Sequence, residues 1–148
     1  MSIERELQLM NQKATVANWL ASGLGEIVLN IPPTVYPPRE DSSLLDQVIA
    51  EMGSGQNKRL LEIGCGSGAI TIAAAKRGWD VNACDINPLA VAASRGNAAV
   101  YALELNTQIT EGGPGDFGQW IPEQGVDVIA WNLPYIEPDN QNLSLIHI

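Results

Sequence analysis

The segment Leu61-Glu62-Ile63-Gly64-Cys65-Gly66-Ser67-Gly68 carries the strongest structural signal in this 148-residue chain. It begins in a short apolar strand over residues 60–63, and an alanine-rich helix over residues 69–77 follows it. A turn in this position needs glycine when a ligand approaches the backbone closely, because a Cβ would block the approach. The stretch therefore predicts a ligand-binding turn, with a tight turn that holds no ligand as the alternative. Its glycine spacing also satisfies the dinucleotide-binding fingerprint, so the identity of the ligand stays open at this point.

Strand and helix alternate on the C-terminal side of the glycine turn. The pattern predicts strands over residues 81–84, 103–109 and 126–131, a helix over 88–100 and a glycine-rich loop over 111–125. Strands separated by helical segments imply right-handed crossovers and a parallel sheet with helices on both faces. We therefore expect an α/β fold, doubly wound around a mostly parallel sheet.

The N-terminal part of the chain carries a different pattern. Apolar residues at a loose helical spacing predict a helix over residues 2–21. A β-rich run over residues 27–31 predicts a short strand, which a pair of prolines ends. Asp41 or Ser42 can then cap a further helix, which the Gly-Ser-Gly run at residues 53–55 terminates.

The charge, hydropathy and cysteine content of the chain disfavour several classes of protein function. The chain has 17 acidic and eight basic residues and a formal net charge of −9, which disfavours unaided binding to a nucleic-acid backbone. The N-terminus lacks the apolar core and cleavage site of a signal peptide, and no apolar run approaches the roughly 20 residues that span a bilayer. The two cysteines are too few for a disulfide framework. These features predict a cytoplasmic protein without a membrane partner.

The last six residues, Leu143-Ser144-Leu145-Ile146-His147-Ile148, are the translation of CTGTCTCTTATACACATC, the DNA of a transposase sequencing adapter. An ordinary apolar strand is the alternative. We interpret residues 143–148 as adapter read-through, so the natural protein is expected to continue differently and His147 carries no chemical information. The expected organisation is an N-terminal helical segment over residues 1–26 and an incomplete main domain over residues 27–142.

Two further sites follow strands of the predicted sheet. Asp85 closes the next strand, 21 residues after Gly64, where a carboxylate can accept both hydroxyl protons of a ribose. Capping of the following helix is the alternative role for this residue. The fourth strand ends in Asn132-Leu133-Pro134-Tyr135, at the carboxyl edge of the sheet where such folds bind ligands. An ordinary turn is again the alternative, because Asn and Pro both favour turns.

Taken in order, these three motifs resemble those of class I S-adenosylmethionine-dependent methyltransferases that modify planar nitrogens. The upstream segment Val35-Tyr36-Pro37-Pro38-Arg39-Glu40-Asp41-Ser42 is similar to the Pro-rich, acidic segment of HemK-type release-factor glutamine methyltransferases, in particular their short form. The resemblance covers roughly residues 27–137. It implies a Rossmann-like methyltransferase fold whose C-terminal strands are missing here, and S-adenosyl-L-methionine as the cofactor.

The resemblance also implies roles for individual residues. The glycine loop would hold the methionine end of the cofactor, and Asp85 would hold its ribose. Glu62 would help to bind the cofactor's amino group, and the pair Asp116-Phe117 would flank its adenine ring. The loop residues assigned to cofactor binding are Gly64, Cys65, Gly66, Ser67 and Gly68, and Asn132 is assigned both to this site and to catalysis.

Transfer of a methyl group to a planar nitrogen requires alignment and a suitable electrostatic environment more than acid-base chemistry. The side-chain oxygen of Asn132 and the backbone carbonyl of Pro134 would accept hydrogen bonds from the N–H groups of the acceptor nitrogen, and Tyr135 would stack on the planar substrate. No metal is required, and no cluster of metal-ligating residues is visible in the sequence. Cys65, without a histidine partner, is expected to fill space, and Trp131 is expected to pack in the core.

These residues leave several functions open. The first expectation is methylation of a glutamine side chain in a protein such as a translation release factor, which the acidic charge favours. Leu133 stands where the glutamine enzymes have a second proline, which keeps methylation of an adenine amino group in RNA or DNA as an alternative. A cofactor-binding module without activity and a nicotinamide oxidoreductase are further alternatives, and the Asn132 motif counts against both. An activating partner is not identified by the sequence.

Overall fold

A four-stranded parallel sheet forms the centre of the chain in the computed structural model, which describes residues 3–11, 13–114 and 122–133. The elements, in chain order, are α1 (Ile3–Met10), β1 (Thr15–Ala21), β2 (Gly25–Ile31), α2 (Glu40–Glu51), β3 (Arg59–Ile63), α3 (Ala69–Lys76), β4 (Asp80–Asp85), α4 (Pro88–Val100), a 3-10 turn (Glu104–Asn106), β5 (Thr107–Glu111) and β6 (Val128–Trp131). Within the described ranges, no helix combines the length and apolar character that a membrane crossing demands.

The strands of this sheet lie in the order β5-β4-β3-β6, and each neighbouring pair is parallel. The chain runs outward from β3 to β4 and β5, and then returns to place β6 on the opposite side of β3. The direction of winding therefore reverses between β3 and β6. In open α/β sheets, ligands bind outside the carboxyl ends of the strands at such a switch point. The α/β, mostly parallel, Rossmann-like fold expected from the sequence is confirmed.

Helix α3 packs closely on the sheet because the side chains of its sequence, AITIAAAK, are apolar except for those of Thr71 and the terminal Lys76. Every residue from Ala69 to Ala75 is buried, and small alanine side chains let a helix approach a sheet closely. The facing surface of the sheet is formed by alternate strand residues that are at most 3% exposed, namely Leu60, Val81, Ala83 and Ala130. This packing fixes the position of the turn between β3 and α3.

The prediction of a helix over residues 2–21 is wrong in its second half. Helix α1 ends at Met10, and strands β1 and β2 form an antiparallel hairpin. Exposure alternates in β1, where Trp19 and Ala21 are buried while Val16 and Leu20 are exposed. This alternation is the period of a strand with one covered face, and a loose spacing of apolar residues did not distinguish it from a helix.

A buried ion pair attaches the hairpin to the helices. Arg77 Nη1 donates to Asp46 Oδ1 at 2.7 Å, and the two side chains are 9% and 2% exposed. The backbone of Ser22, in the hairpin turn, donates to Asp46 Oδ2 and accepts from Arg77 Nη2. Each charged group therefore has a partner, as burial of charge requires.

Three smaller expectations need correction. Helix α2 begins at Glu40 with Arg39 as its N-cap residue, so neither Asp41 nor Ser42 is the cap; the Ser42 hydroxyl instead accepts the backbone N–H of Arg39. The strand predicted over residues 103–109 begins only at Thr107, because a 3-10 turn that leaves Leu105 fully exposed precedes it. Trp131 is 55% exposed, since alternation along β6 places Ala130, and not its neighbour, on the buried face of the sheet.

Candidate functional site

The tips of β3 and β6 adjoin at the switch point of the sheet. Ile63 pairs with Trp131 in the parallel register, so Gly64 and Asn132 both follow directly after paired residues. Neighbouring strands lie about 4.8 Å apart, which brings the glycine turn and the Asn132 motif next to each other. The two motifs that the sequence predicted as cofactor and acceptor sites therefore share one edge of the sheet.

The glycine turn has an open side and a packed side. Gly64, Gly66 and Gly68 all have positive φ values, of 76°, 56° and 91°. A Cβ on Gly64 or Gly66 would meet no atom within 4 Å, whereas a Cβ on Gly68 would lie 3.0 Å from Ser94 Oγ and 3.1 Å from Ser94 Cα. Gly64 and Gly66 thus border open space, and Gly68 permits close packing of α4 beneath the turn.

Side chains of α4 hold the turn from beneath. The Ser94 hydroxyl donates to Gly66 O at 2.7 Å, and Asn97 Nδ2 donates to Ser67 O at 2.8 Å. The Asn97 side chain also exchanges hydrogen bonds with the backbone N–H and carbonyl of Asn30 in β2, so it connects the hairpin to the turn. Sequence reasoning missed both side chains. The sequence pattern that could have indicated them is a pair of polar residues, Ser94 and Asn97, three positions apart on an otherwise apolar face of α4.

Asp85 lies at the carboxyl end of β4, as predicted, and faces the glycine turn. Its Oδ2 accepts the backbone N–H of Gly66 and its Oδ1 accepts that of Asn87, each at 2.9 Å. The alternative role of helix capping belongs to Asn87, whose side chain accepts the N–H of Leu89. Each carboxylate oxygen of Asp85 keeps a further lone pair, so the group can still accept protons from a ligand's hydroxyls.

The Glu62 carboxyl lies beneath the turn and is only 4% exposed. Thr71 Oγ1 donates to Glu62 Oε1 at 2.7 Å. Burial raises the pKa of Glu62 to about 8, and the nearby charge of Asp85 adds to this increase, while hydrogen bonds from the side chain and backbone of Thr71 oppose it. The Glu62 carboxyl is therefore mostly protonated and neutral at physiological pH when no cation lies beside it.

The two thiols near the turn, Cys65 and Cys84, are buried. Cys65 is 5% exposed, and the Ser94 hydroxyl lies 3.3 Å from its sulfur. Burial, with a smaller contribution from the Glu62 carboxyl, raises the pKa of the Cys65 thiol, and burial likewise raises the pKa of Cys84. A thiol with a raised pKa is a poor nucleophile. The buried Cys65 side chain therefore fills space, as expected, while the cofactor-binding roles assigned to Cys65 and to buried Ser67 stay predictions.

Asn132 makes a contact that the sequence did not indicate. It lies exposed after β6, and its Nδ2 donates to Asp41 Oδ2 at 3.0 Å. Asp41 belongs to the Pro-rich, acidic segment that precedes and begins α2. The structure therefore brings together this upstream segment and the Asn132 motif, which are 91 positions apart.

The other predicted site residues, Asp116, Phe117, Pro134 and Tyr135, lie outside the described residues, as does His147. Their assigned roles stay predictions. Within the part of the chain that the structure describes, His, Cys, Asp and Glu side chains form no group of three or more that could hold a metal ion.

The arrangement fits S-adenosylmethionine, which the sequence led us to expect. The open side of Gly64 and Gly66 leaves room for a ligand against the backbone, because a Cβ at either position would project into open space. Asp85, at the end of the adjacent strand, retains acceptor capacity for the hydroxyls of a ribose. Glu62 supplies a buried carboxyl beneath the same turn, toward which a cationic amino group would be attracted.

Comparisons with known proteins agree with this geometry. The sequence model of the ribosomal protein L11 methyltransferase (PrmA) family matches residues 43–133. A protein of Methanocaldococcus jannaschii that is provisionally named a protein N5-glutamine methyltransferase is 37% identical over 114 residues, which are 74% of this chain and 52% of that protein. The release factor glutamine methyltransferase of Streptococcus pneumoniae is 32% identical over 116 residues, which are 77% of this chain and 39% of that protein. The chain thus spans about half, or less, of the length of these curated relatives.

A similar solved structure is the T. thermophilus 16S rRNA N2 G1207 methyltransferase in complex with AdoMet and guanosine. Its TM-score is 0.70 at 20% sequence identity, and the match covers 84% of this chain and 34% of that chain. At this identity the likeness concerns the fold.

Proposed function

The chain belongs to the class I S-adenosylmethionine-dependent methyltransferases, and we propose that it is the part of such an enzyme that binds the methyl donor and positions a planar acceptor nitrogen. The first acceptor we propose is the side-chain amide of a glutamine in a protein such as a translation release factor. We propose that the complete protein acts in the cytoplasm.

The observation that carries this proposal is the position of Asn132 beside the glycine turn, at the switch point between β3 and β6. Binding of the donor alone requires the turn and Asp85, but it does not require an amide side chain at the tip of the neighbouring strand. An amide oxygen there is placed to accept a hydrogen bond from the N–H group of an acceptor nitrogen that approaches the methyl donor. This position favours a transferase over a cofactor-binding module.

When bound, the cofactor would supply a methyl group on a positively charged sulfur: the S–CH3 bond would break as the N–CH3 bond formed, and the nitrogen would then release one proton to water. The residues of the chain supply alignment and electrostatic stabilisation. A glutamine or adenine amino nitrogen is a poor nucleophile because its lone pair is delocalised. Acceptors on its protons, which we assign to Asn132 Oδ1 and the carbonyl of Pro134, localise that pair and bind more strongly as the nitrogen becomes positive. We assign to Tyr135 the stacking contact that orients the planar group.

Two features support glutamine as the acceptor. The names of the M. jannaschii and S. pneumoniae relatives refer to glutamine methylation. The net charge of −9 opposes unaided binding to a polyanionic nucleic acid. Leu133, in the acceptor motif, keeps an adenine amino group in RNA or DNA as the second candidate.

Labelled S-adenosylmethionine offered to the complete protein, together with either a glutamine-containing release-factor peptide or RNA, tests the proposal. We expect label in the peptide. If label appears in RNA alone, the acceptor is an adenine amino group and not glutamine. If calorimetry detects no binding of S-adenosylmethionine, the proposed methyltransferase function is refuted.

A pair of variants tests the role of Asn132. Asn132→Ala should leave donor affinity close to that of the wild type while turnover falls by about 100-fold, the usual cost of losing one polar contact to a developing charge. Asn18→Ala, on the exposed outer side of β1, is the matched control and should retain full turnover. Normal turnover of Asn132→Ala would contradict the assigned role.

A further inference from the structure

We propose that Asp41 is a positioning residue for methyl transfer, which holds the Asn132 side chain so that its amide oxygen is presented to the acceptor nitrogen. The inference rests on the proposed function of Asn132. It assigns a role to the first turn of α2, an element that belongs neither to the glycine turn nor to the strand tip that carries the acceptor motif.

The orientation of the Asn132 amide follows from the chemistry of its partner. Asn132 Nδ2 donates to Asp41 Oδ2 at 3.0 Å. A carboxylate accepts hydrogen bonds and cannot donate them, so the nitrogen of the amide must face Asp41 and Oδ1 must point away from it. Without this partner the Asn132 amide could rotate by half a turn, which exchanges the positions of Oδ1 and Nδ2. The NH2 group of Asn132, which cannot accept a hydrogen bond, would then face the N–H groups of the acceptor nitrogen.

The Asp41 carboxylate is itself held in place. Its Oδ1 accepts the backbone N–H of Ser42 at 2.9 Å, within the first turn of α2. The free amides and the dipole at a helix N-terminus stabilise a negative charge there. The two oxygens of Asp41 thus bind different partners: Oδ1 accepts the backbone N–H of Ser42, and Oδ2 accepts the side-chain NH2 of Asn132.

The contact with Asn132 also brings the negative charge of Asp41 near the acceptor nitrogen, because only the Asn132 side-chain amide would separate the carboxylate from that nitrogen. A hydrogen bond to a carboxylate polarises the Asn132 amide and makes its oxygen a stronger acceptor. The nitrogen gains positive charge as the methyl group is transferred, so the charge of Asp41 stabilises the transition state more than the bound substrate. Loss of Asp41 should therefore lower kcat and not the affinity for the donor.

The contact contributes little to the stability of the fold, because both side chains are exposed. This difference separates a positioning role from a structural one. A variant of Asp41 should unfold like the wild type and bind the donor like the wild type, and yet transfer methyl groups slowly.

The decisive variant is Asp41→Asn in the complete protein. Its single side-chain oxygen can serve the N–H of Ser42 or the amide of Asn132, but not both. We expect kcat to fall by about 10- to 100-fold, the range for a misoriented catalytic group, with unchanged donor Kd and unfolding midpoint. Asp41→Glu keeps two charged acceptor oxygens and should retain more turnover than Asp41→Asn. Glu51→Gln, which removes an exposed carboxylate from the other end of α2, is the control and should behave as the wild type.

The side-chain NH2 signals of Asn132 in nitrogen-15 spectra provide an independent measurement, because they should shift in Asp41→Asn and stay unchanged in Glu51→Gln. Wild-type turnover in Asp41→Asn, or a loss of kcat accompanied by an equal loss of donor affinity, would overturn the positioning role while leaving the proposed function intact. If the wild-type protein methylates neither peptide nor RNA, the proposed function fails, and the role of Asp41 fails with it.

Discussion

Replacing Glu62 by glutamine should remove a pH dependence of stability that the wild-type protein carries between about pH 4.5 and 8. The buried carboxyl has a pKa of about 8 in the folded protein, against 4.5 for the unperturbed group. The folded state therefore binds a proton more tightly than the unfolded state. The stability that this proton contributes is fully present below pH 4.5 and is lost as the pH rises through 8. In Glu62→Gln, the amide oxygen can still accept the hydrogen bonds from Thr71, but no proton is gained or lost.

The size of the effect follows from the shift of the pKa. One pKa unit corresponds to about 1.4 kcal/mol, so a shift from 4.5 to about 8 amounts to at most about 5 kcal/mol over the full pH range. The free energy of unfolding of the wild type should therefore fall by several kcal/mol more than that of Glu62→Gln between pH 5 and 9. The variant should be the more stable protein at pH 9.

Urea denaturation of both proteins without donor, at intervals from pH 5 to 9, measures this difference. Titrations of the other groups occur in both proteins and cancel when the two curves are subtracted. Glu51→Gln, at an exposed position, should reproduce the wild-type curve. Parallel pH profiles for the wild type and Glu62→Gln would show that the Glu62 carboxyl is not protonated in the folded protein, and would contradict a raised pKa for this group.

Two further predictions concern the support of the glycine turn. Gly68→Ala should lose about 2 kcal/mol or more of stability in urea denaturation, together with donor affinity, because the φ of 91° is unfavourable for alanine and the new Cβ would press on Ser94. Gly96→Ala is the control: Gly96 lies in α4 with open space where its Cβ would be, and this variant should gain about 0.5–1 kcal/mol in the same assay. Asn97→Ala should cost about 2–4 kcal/mol and weaken donor binding in calorimetry, since it leaves backbone groups of Asn30 and Ser67 without partners; a loss below about 0.5 kcal/mol would mean that water replaces the side chain.

Local patterns in the sequence predicted the parts of the site that are contiguous in the chain. The order of strand, glycine turn and helix around residues 61–68 predicted the turn, and the helix from Pro88 to Val100 was predicted with the bounds that the structure shows. The same local reasoning failed for β1, because a short amphipathic segment satisfies a loose helical spacing as well as a strand alternation. It also failed for Trp131, because a residue's place on a strand does not tell which face of the sheet is covered.

The fold class, the glycine turn and the carboxylate that follows the next strand could be predicted from the sequence, because each depends on residues that are close in the chain and on a periodicity that repeats locally. The folded molecule was needed to show that β6 lies beside β3, that Asn97 connects the hairpin to the glycine turn, and that Asp41 contacts Asn132 across 91 positions. These contacts depend on strand order and helix packing, which arise from the burial of the whole core and leave no local signature in the residues that they bring together.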